Sequence, residues 1–558
     1  MTTRRLEKWL LGLVLWAIVC ALLSQTIRTG LLQDDYLHIG LPAPYFSGGS
    51  AIDPGTEAHP PLVNLLILPL LVLGWGKAWL MFLPLLCAIG AVAAGYYWLD
   101  LLGKRAHAAA FVLVFAGSAS YWRLLGQFRT YTFLLFCFFA ALWALEKFHQ
   151  TQRRTFFRVA VALSTLLVAT HFAAPLAAIM LVLYAKQREG WRWRDTKLFY
   201  VAAWMMGPGL ACSFPVLAQK WMPRRPGAWA ASRPGSYIEA HFFHPGQESL
   251  FDFIVRSLRA GTGLWVQQDY AIAVVAAVAV VLVGIYWRRK MENESLAAFL
   301  PFALIVPISW LAGLAAIYPF GHTRHCFHLL AAGSVCLTIP FRWLRDEWQG
   351  PTTNALLVAA LVLFVSRISG APHWITFGLG AAAIALSRWQ SEYVLAMLLA
   401  GLGVSLTSPD SVPALWLSGG ITQERREAEL VDRRLRAELT TRNTRVIAEP
   451  GLHPLFYYGP MAHRVLFGRV PPFPAVPAKD LIALGLEPKL GRDLPSWLST
   501  IDHCRRASQR CVLISWRRRN VHVQAEILKS ISPMAGVKIE PFSDWLVVTV
   551  EPPAHARN

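Results

Sequence analysis

Long apolar runs separated by short charged clusters constrain the fold of this chain more than any other feature. A backbone surrounded by lipid must satisfy its hydrogen bonds within a helix, and a helix needs about 20 apolar residues to cross a bilayer. Only 15% of the residues are charged, against about 25% in soluble domains. The sequence therefore predicts an α-helical polytopic membrane protein. The predicted spans lie near residues 8–25, 77–102, 108–122, 131–147, 157–173, 174–186, 198–218, 264–286, 296–317, 326–341, 353–366, 372–387 and 391–407.

Basic residues between the runs predict the orientation. The N-terminus has a basic start and an apolar run like a signal peptide, but no small-residue cleavage site follows, so an uncleaved first span is expected. The segment 59–76 begins with two prolines and is predicted to be re-entrant or interfacial. About 13 spans then place the N-terminus in the cytoplasm, with the basic clusters on the same side. These clusters are Lys104/Arg105, Arg153/Arg154/Arg158, Lys186 to Lys197, Arg288 to Lys290 and Arg342/Arg345.

The formal net charge of +20 does not indicate a nucleic-acid partner. No basic stripe interleaved with aromatic residues lies outside the predicted spans, and cytoplasmic loops account for the basic clusters. The basic-inside pattern and the absence of eukaryotic retention signals favour the bacterial inner membrane.

The C-terminal part, residues 408–558, has a different pattern from the membrane part, residues 1–407. Segments such as RCVLISW and DWLVVTV predict strands, and LPSWLSTIDHCRRA predicts a helix. A small α/β domain outside the cytoplasm is expected, because an odd number of spans follows a cytoplasmic N-terminus. Cys504 and Cys511 are its only cysteines, and in an oxidising compartment they are candidates for a disulfide.

The first outer loop, residues 26–60, carries the clearest candidate chemistry. Asp34 and Asp35 are adjacent, and Glu57 and His59 follow beside the HPPL segment. Neighbouring carboxylates raise the pKa of one of the pair, which suits a general base or a divalent-cation site. Alternatively, the two aspartates cap a helix and are solvated.

Other ionisable residues lie at span ends on the same outer side. Arg129 and Tyr131 are in GQFRTY, His171 is in ATHFAAP, and Arg324 is in YPFGHTRHCFHLL. Arginine is suited to bidentate phosphate contacts, and tyrosine adds a hydrogen bond. For His171 the sequence leaves two alternatives, a ligand or a packed core or interfacial side chain. The remaining outer histidines match no standard zinc spacing; they are His241, His244, His322, His325 and His328.

The order of these motifs resembles the GT-C glycosyltransferases, in particular the glycosyltransferase 39/83-like group that includes protein O-mannosyltransferases and lipid A aminoarabinose transferases. The resemblance covers about residues 5–345 in register and the rest in layout. It implies an inverting transferase that moves a sugar from a polyprenyl-phosphate donor to a lipid, glycan or protein acceptor at the outer membrane face.

The resemblance also implies roles for individual residues. Asp34 matches the base that deprotonates the acceptor, and Asp35 matches the second acid of the pair. The donor-phosphate residues would be Arg129, Tyr131, Arg324 and His59. Glu57 and His59 match a segment that lines the phosphate or a divalent metal ion.

Two departures from the family pattern affect the expected geometry. The second acid is usually Glu, whereas Asp35 is one methylene shorter, and Gln127 stands where many relatives carry an acid.

Two other functions are compatible with the sequence. A transporter or flippase of lipid-linked sugars would favour inverted repeats and broken helices near the bilayer midplane, and no such repeat is present. A non-catalytic scaffold would favour loss of the acidic pair, which is retained.

Overall fold

The computed structural model describes the chain in separate stretches. These are residues 77–103, 105–118, 130–171, 173–220, 242–262, 298–315, 326–343, 444–448, 494–506, 510–516, 521–541 and 545–552, with a few isolated residues between them. The chain divides into two compact units. One comprises Met1–Leu23, Pro54–Val63 and Phe82–Leu417, and the other comprises Ser24–Asp53, Asn64–Met81 and Ser418–Asn558.

The described part of the predicted membrane part, residues 1–407, is helical. Its helices are α1 (Lys77–Leu101), α2 (Arg105–Gly117), α3 (Tyr131–Thr151), α4 (Arg154–Val168), α5 (Ala174–Glu189), α6 (Thr196–Lys220), α7 (Leu250–Thr262), α8 (Leu300–Leu314) and α9 (Phe327–Leu337), the last followed by a 3₁₀ turn at Ile339–Trp343. Gly190 ends α5 with φ of 67°, a left-handed conformation that glycine adopts without steric cost.

Two stretches among the described residues are long and apolar enough to cross a bilayer, Leu83–Leu101 in α1 and Tyr131–Thr151 in α3. Helices α2, α8 and α9 are apolar but shorter. The predicted spans near 8–25, 264–286, 372–387 and 391–407 lie wholly or largely outside the described residues. The count of about 13 spans therefore stays a prediction.

Helix boundaries differ from the predicted spans where side chains cap the backbone. Helix α2 ends at Gly117 rather than near residue 122. The Ser118 hydroxyl donates to the Phe115 carbonyl at 2.8 Å and accepts the Tyr121 N–H at 3.2 Å. A serine that serves both backbone groups competes with helix continuation, which explains the early end.

Aromatic side chains form the centre of the helical core. The fully buried Trp98 ring of α1 lies 5.3 Å from the Phe302 ring of α8 and 5.6 Å from the Tyr184 ring of α5. Close helix packing needs small residues elsewhere: a Cβ at Gly95 would clash with the Phe111 ring. Helices α1, α2, α5 and α8 are thus joined by large rings packed against small positions.

The C-terminal part contains a five-stranded mixed sheet with the strand order β2-β1-β3-β5-β4. The strands are β1 (Thr444–Ala448), β2 (Leu486–Glu487), β3 (Arg510–Trp516), β4 (Val537–Pro541) and β5 (Trp545–Val550). Strand β1 is parallel to β2 and β3, whereas β5 is antiparallel to β3 and β4. Helices α10 (Leu494–Arg506) and α11 (Val521–Ile531) contribute Trp497, Ile501 and Ile527 to the core beside the sheet.

Cys504 and Cys511 form a disulfide that joins the last turn of α10 to β3. Both residues are fully buried in the core of this part, and their Cα atoms are 6.0 Å apart. The bond therefore secures a helix to the central strand of the sheet.

Replacing Cys504 and Cys511 together by Ala is expected to destabilise the sheet region by about 2–3 kcal/mol, because the bond closes a short loop in the unfolded chain. Unfolding in denaturant, with proteolysis of this region as the readout, measures the change in stability. Replacing the exposed free Cys212 by Ser is the control and should have no effect. Equal unfolding midpoints for all three proteins would contradict this prediction.

Candidate functional site

Three buried rings from separate segments meet at one end of the helical region. Tyr131 is the first residue of α3, His171 lies in the turn between α4 and α5, and Phe327 is the first residue of α9. The His171 ring lies 5.2 Å from the Tyr131 ring and 6.4 Å from the Phe327 ring, and the Tyr131 and Phe327 rings are 6.5 Å apart. Each side chain is at most 2% exposed. We call this group the ring triangle.

The turn that carries His171 is closed by its own hydrogen bonds. The Ala173 N–H donates to His171 Nδ1 at 3.0 Å, and the Ala174 N–H donates to the His171 carbonyl at 3.0 Å. Since Nδ1 accepts a hydrogen bond, the neutral ring carries its proton on Nε2. The backbone of the turn therefore determines both the orientation and the tautomer of the imidazole.

The structure places one of the predicted donor-phosphate residues, Tyr131. The ring triangle adds His171, for which the sequence left a packed side chain and a ligand as alternatives. The other predicted catalytic, phosphate-binding and metal-binding residues lie outside the described part of the chain; they are Asp34, Asp35, Glu57, His59, Arg129 and Arg324. Their predicted roles remain predictions.

The described histidines show no metal-binding arrangement. No group of three or more His, Cys, Asp or Glu side chains suited to a metal ion occurs among the described residues. His328 Nε2 instead lies 2.9 Å from the buried Ser309 hydroxyl, which joins α9 to α8. His241, His322 and His325 lie outside the described residues.

A buried charged network, which was not predicted from the sequence, lies near the opposite end of α3. Glu146 is fully buried. Arg188 donates to both of its carboxylate oxygens, at 2.7 and 2.8 Å. The Tyr184 hydroxyl donates to Oε2 at 2.6 Å and accepts the Trp98 indole N–H at 2.9 Å. The available signal was a Glu inside an apolar run, with Tyr184 and Arg188 four residues apart on one helical face.

A second ion pair organises the segment before α7. Arg256 donates to both Glu248 oxygens, at 2.7 and 3.1 Å, and to the Phe242 carbonyl at 2.9 Å. Burial by itself would raise the pKa of Glu248, but the hydrogen bonds from Arg256 and from the His244 N–H, together with the Arg256 charge, lower it below the usual value. This pair lies between the predicted spans near 198–218 and 264–286, on the outer side of the predicted topology.

Replacing Glu248 by Gln is expected to destabilise the 242–262 segment at neutral pH. Because the folded pKa is lowered, the carboxylate stabilises the fold above its unfolded pKa, near 4.5, and this contribution is lost as the pH falls through the folded value. The wild type and the variant should therefore converge in acid. Proteolysis rates of the segment at pH 7 and in acid measure this, with Glu526→Gln as an exposed control. A difference that persists in acid would contradict the assignment.

Two solved structures resemble this chain over nearly its whole length. One is ArnT from Cupriavidus metallidurans bound to undecaprenyl phosphate, with a TM-score of 0.56 and 12% sequence identity, covering 99% of each chain. The other is ArnT from the same organism in the apo state, with a TM-score of 0.55 and 11% identity, covering 98% of this chain and 99% of that one. No family model and no curated relative matches this chain. The likeness confirms the predicted GT-C fold. Because the sequence identity is only 11–12%, the likeness is one of fold alone.

Proposed function

We propose that this protein is an inverting glycosyltransferase that moves a sugar from a polyprenyl-phosphate donor to a lipid, glycan or protein acceptor at the outer face of the membrane. The observation that most supports this proposal is the fold shared over 99% of the chain with a structure of ArnT bound to undecaprenyl phosphate. The acidic loop and the basic and aromatic motifs at the span ends are consistent with such a reaction.

The proposed mechanism assigns one acid to the acceptor. Inversion at the anomeric carbon requires a base on the face opposite the leaving group, and Asp34 is assigned to remove the proton from the acceptor nucleophile. Asp35 is assigned to the same site as the second acid. The bond from the sugar to the phosphate oxygen breaks as the bond from the acceptor to the sugar forms, and the polyprenyl phosphate leaves.

The leaving phosphate gains charge in the transition state, so cationic groups placed beside it lower the barrier. Arg129 and Arg324 are assigned to this role because a guanidinium matches phosphate geometry. Tyr131 is assigned as a hydrogen-bond donor, and its burial in the ring triangle supports a single orientation. His59 completes the assigned phosphate contacts.

Glu57 and His59 are proposed to hold a divalent cation beside the donor phosphate. A carboxylate oxygen and an imidazole nitrogen suit a borderline metal ion such as zinc. When bound, the ion would add positive charge where the phosphate leaves.

The proposed location is the bacterial inner membrane, with a cytoplasmic N-terminus and a periplasmic C-terminal part. The Cys504–Cys511 disulfide supports a periplasmic C-terminal part, because such bonds persist in oxidising compartments and are rare in the cytosol. The basic clusters between the predicted spans support a cytoplasmic N-terminus.

Transfer from a defined donor tests the proposal. The full chain is reconstituted in vesicles with a radiolabelled polyprenyl-phosphate sugar and a membrane extract as the acceptor source, and label in a new product is expected. Movement of the labelled lipid across the bilayer without a new product would instead support a flippase. If no donor gives either transfer of the label or movement of the labelled lipid, the proposal is overturned and a scaffold is favoured.

Replacing Arg324 by Ala is expected to lower kcat/KM about tenfold or more, because a hydrogen bond to a charged group contributes about 1.5–3 kcal/mol. Arg324→Lys keeps the charge and loses the bidentate geometry, so an intermediate loss is expected. Initial rates at varied donor concentration measure both variants. Wild-type kinetics in Arg324→Ala would remove this residue from the donor site.

A further inference from the structure

The ring triangle joins the starts of two helices that follow the predicted donor-phosphate motifs. Arg129 precedes Tyr131 by two positions, and Arg324 precedes Phe327 by three. The His171 ring packs against both aromatic rings, at 5.2 and 6.4 Å. This residue therefore links the two segments that the proposed function assigns to the leaving phosphate.

The contacts of His171 divide into two kinds. Its Nδ1 accepts the Ala173 N–H within its own turn. Its ring packs against Tyr131 of α3 and Phe327 of α9, and the plane of the Phe327 ring is inclined at 85° to it, an edge-to-face arrangement that favours a defined ring geometry. The first contact is local, whereas the second joins elements that are distant in sequence.

Burial limits the freedom of the group. Tyr131, His171 and Phe327 are each at most 2% exposed, and buried side chains packed to crystal-like density shift only with their neighbours. A change in the His171 ring is thus transmitted to the start of α3, where the Leu134 N–H donates to the Thr130 carbonyl at 2.9 Å.

We infer that His171 is a positioning residue for the donor-phosphate site, acting through its ring contacts with Tyr131 and Phe327. This inference rests on the proposed function and extends it with a residue that acts through other side chains rather than on the reacting atoms. Its ring fixes the direction of the Tyr131 side chain, and the aromatic contact to Phe327 couples the same ring to the segment that follows Arg324.

Two substitutions separate the ring from the hydrogen bond. His171→Asn keeps an acceptor near the Nδ1 position and removes the ring, whereas His171→Phe keeps a ring and removes the acceptor. A positioning role through the ring predicts a rise of about 2- to 10-fold in donor KM for the Asn variant, the range that an aromatic contact supplies, with kcat little changed. A smaller rise is expected for the Phe variant.

The matched control is His107→Phe. His107 is fully buried, packs edge-to-face against the Phe299 ring at 5.3 Å and reaches the Val335 carbonyl in the last turn of α9 at 3.4 Å, so its contacts lie away from the Phe327 end of that helix. Wild-type donor KM is expected for this variant. An equal rise in the control would show that any buried histidine perturbs the site and would overturn the inference.

Hydrogen exchange at Leu134 to Phe138 gives a readout that does not require activity. Exchange is expected to be faster than in the wild type in His171→Asn. In His171→Phe it is expected to stay close to the wild-type rate. Wild-type KM and exchange in the Asn variant, or equal impairment in both variants, would overturn the inference. If the wild-type protein neither transfers sugar nor binds undecaprenyl phosphate, the proposed function fails, and the exchange rates still decide whether the ring holds the start of α3.

Discussion

Replacing Asp34 by Asn is expected to reduce sugar transfer by about 100- to 10,000-fold, the range that a positioned general base contributes. Asn keeps the size of the side chain and removes its ability to take a proton. The acceptor hydroxyl would then attack without a base, while donor binding through the basic residues would be retained. The loss should therefore fall on kcat rather than on donor KM.

Membrane preparations with matched expression provide the measurement. Wild type, Asp34→Asn and Asp53→Asn are assayed for transfer from a radiolabelled polyprenyl-phosphate sugar. Asp53 is a carboxylate of the same loop to which no role is assigned, so wild-type transfer is expected for its variant. Equal transfer by wild type and Asp34→Asn would remove Asp34 from the mechanism, and equal loss in both variants would indicate an effect of loop charge.

The fold was predictable because the length and order of apolar runs carry most of the information for membrane helices. The run near 131–147 corresponds to α3, and the run near 174–186 corresponds to α5. The strand segments RCVLISW and DWLVVTV likewise contain β3 and β5. In each case the pattern is local, since backbone hydrogen bonding and side-chain periodicity are decided within about ten residues.

The side-chain pairings were less predictable because they join distant positions. His171 and Tyr131 are 40 positions apart, and Arg188 and Glu146 are 42 apart. Neither hydropathy nor spacing determines which helix faces meet at such distances. Glu146 in particular resembles a charge near the end of a span, and its burial becomes evident only when α5 packs against α3 and brings Tyr184 and Arg188 to the carboxylate.

Removing Arg188 is expected to produce a large loss of stability in the helical region. In Arg188→Ala, Glu146 would remain fully buried with the Tyr184 hydroxyl and the Gln150 amide as its remaining side-chain donors. Leaving one member of a buried ion pair uncompensated costs about 3–5 kcal/mol. The variant should therefore unfold at a clearly lower temperature in detergent, as followed by tryptophan fluorescence.

A double replacement distinguishes the loss of the ion-pair attraction from the cost of leaving a buried carboxylate without its cationic partner. In Glu146→Leu with Arg188→Met, both charges are absent and apolar groups of similar volume fill the site, so much of the stability should return. The half-exposed pair of Asp100 and Arg105, 3.4 Å apart, provides the control, because Asp100→Asn should cost at most about 1 kcal/mol. If Arg188→Ala were no less stable than Asp100→Asn, the network would not hold α3 against α5. If the double variant were no better than Arg188→Ala, the loss would come from packing around the long Arg188 side chain rather than from an uncompensated carboxylate.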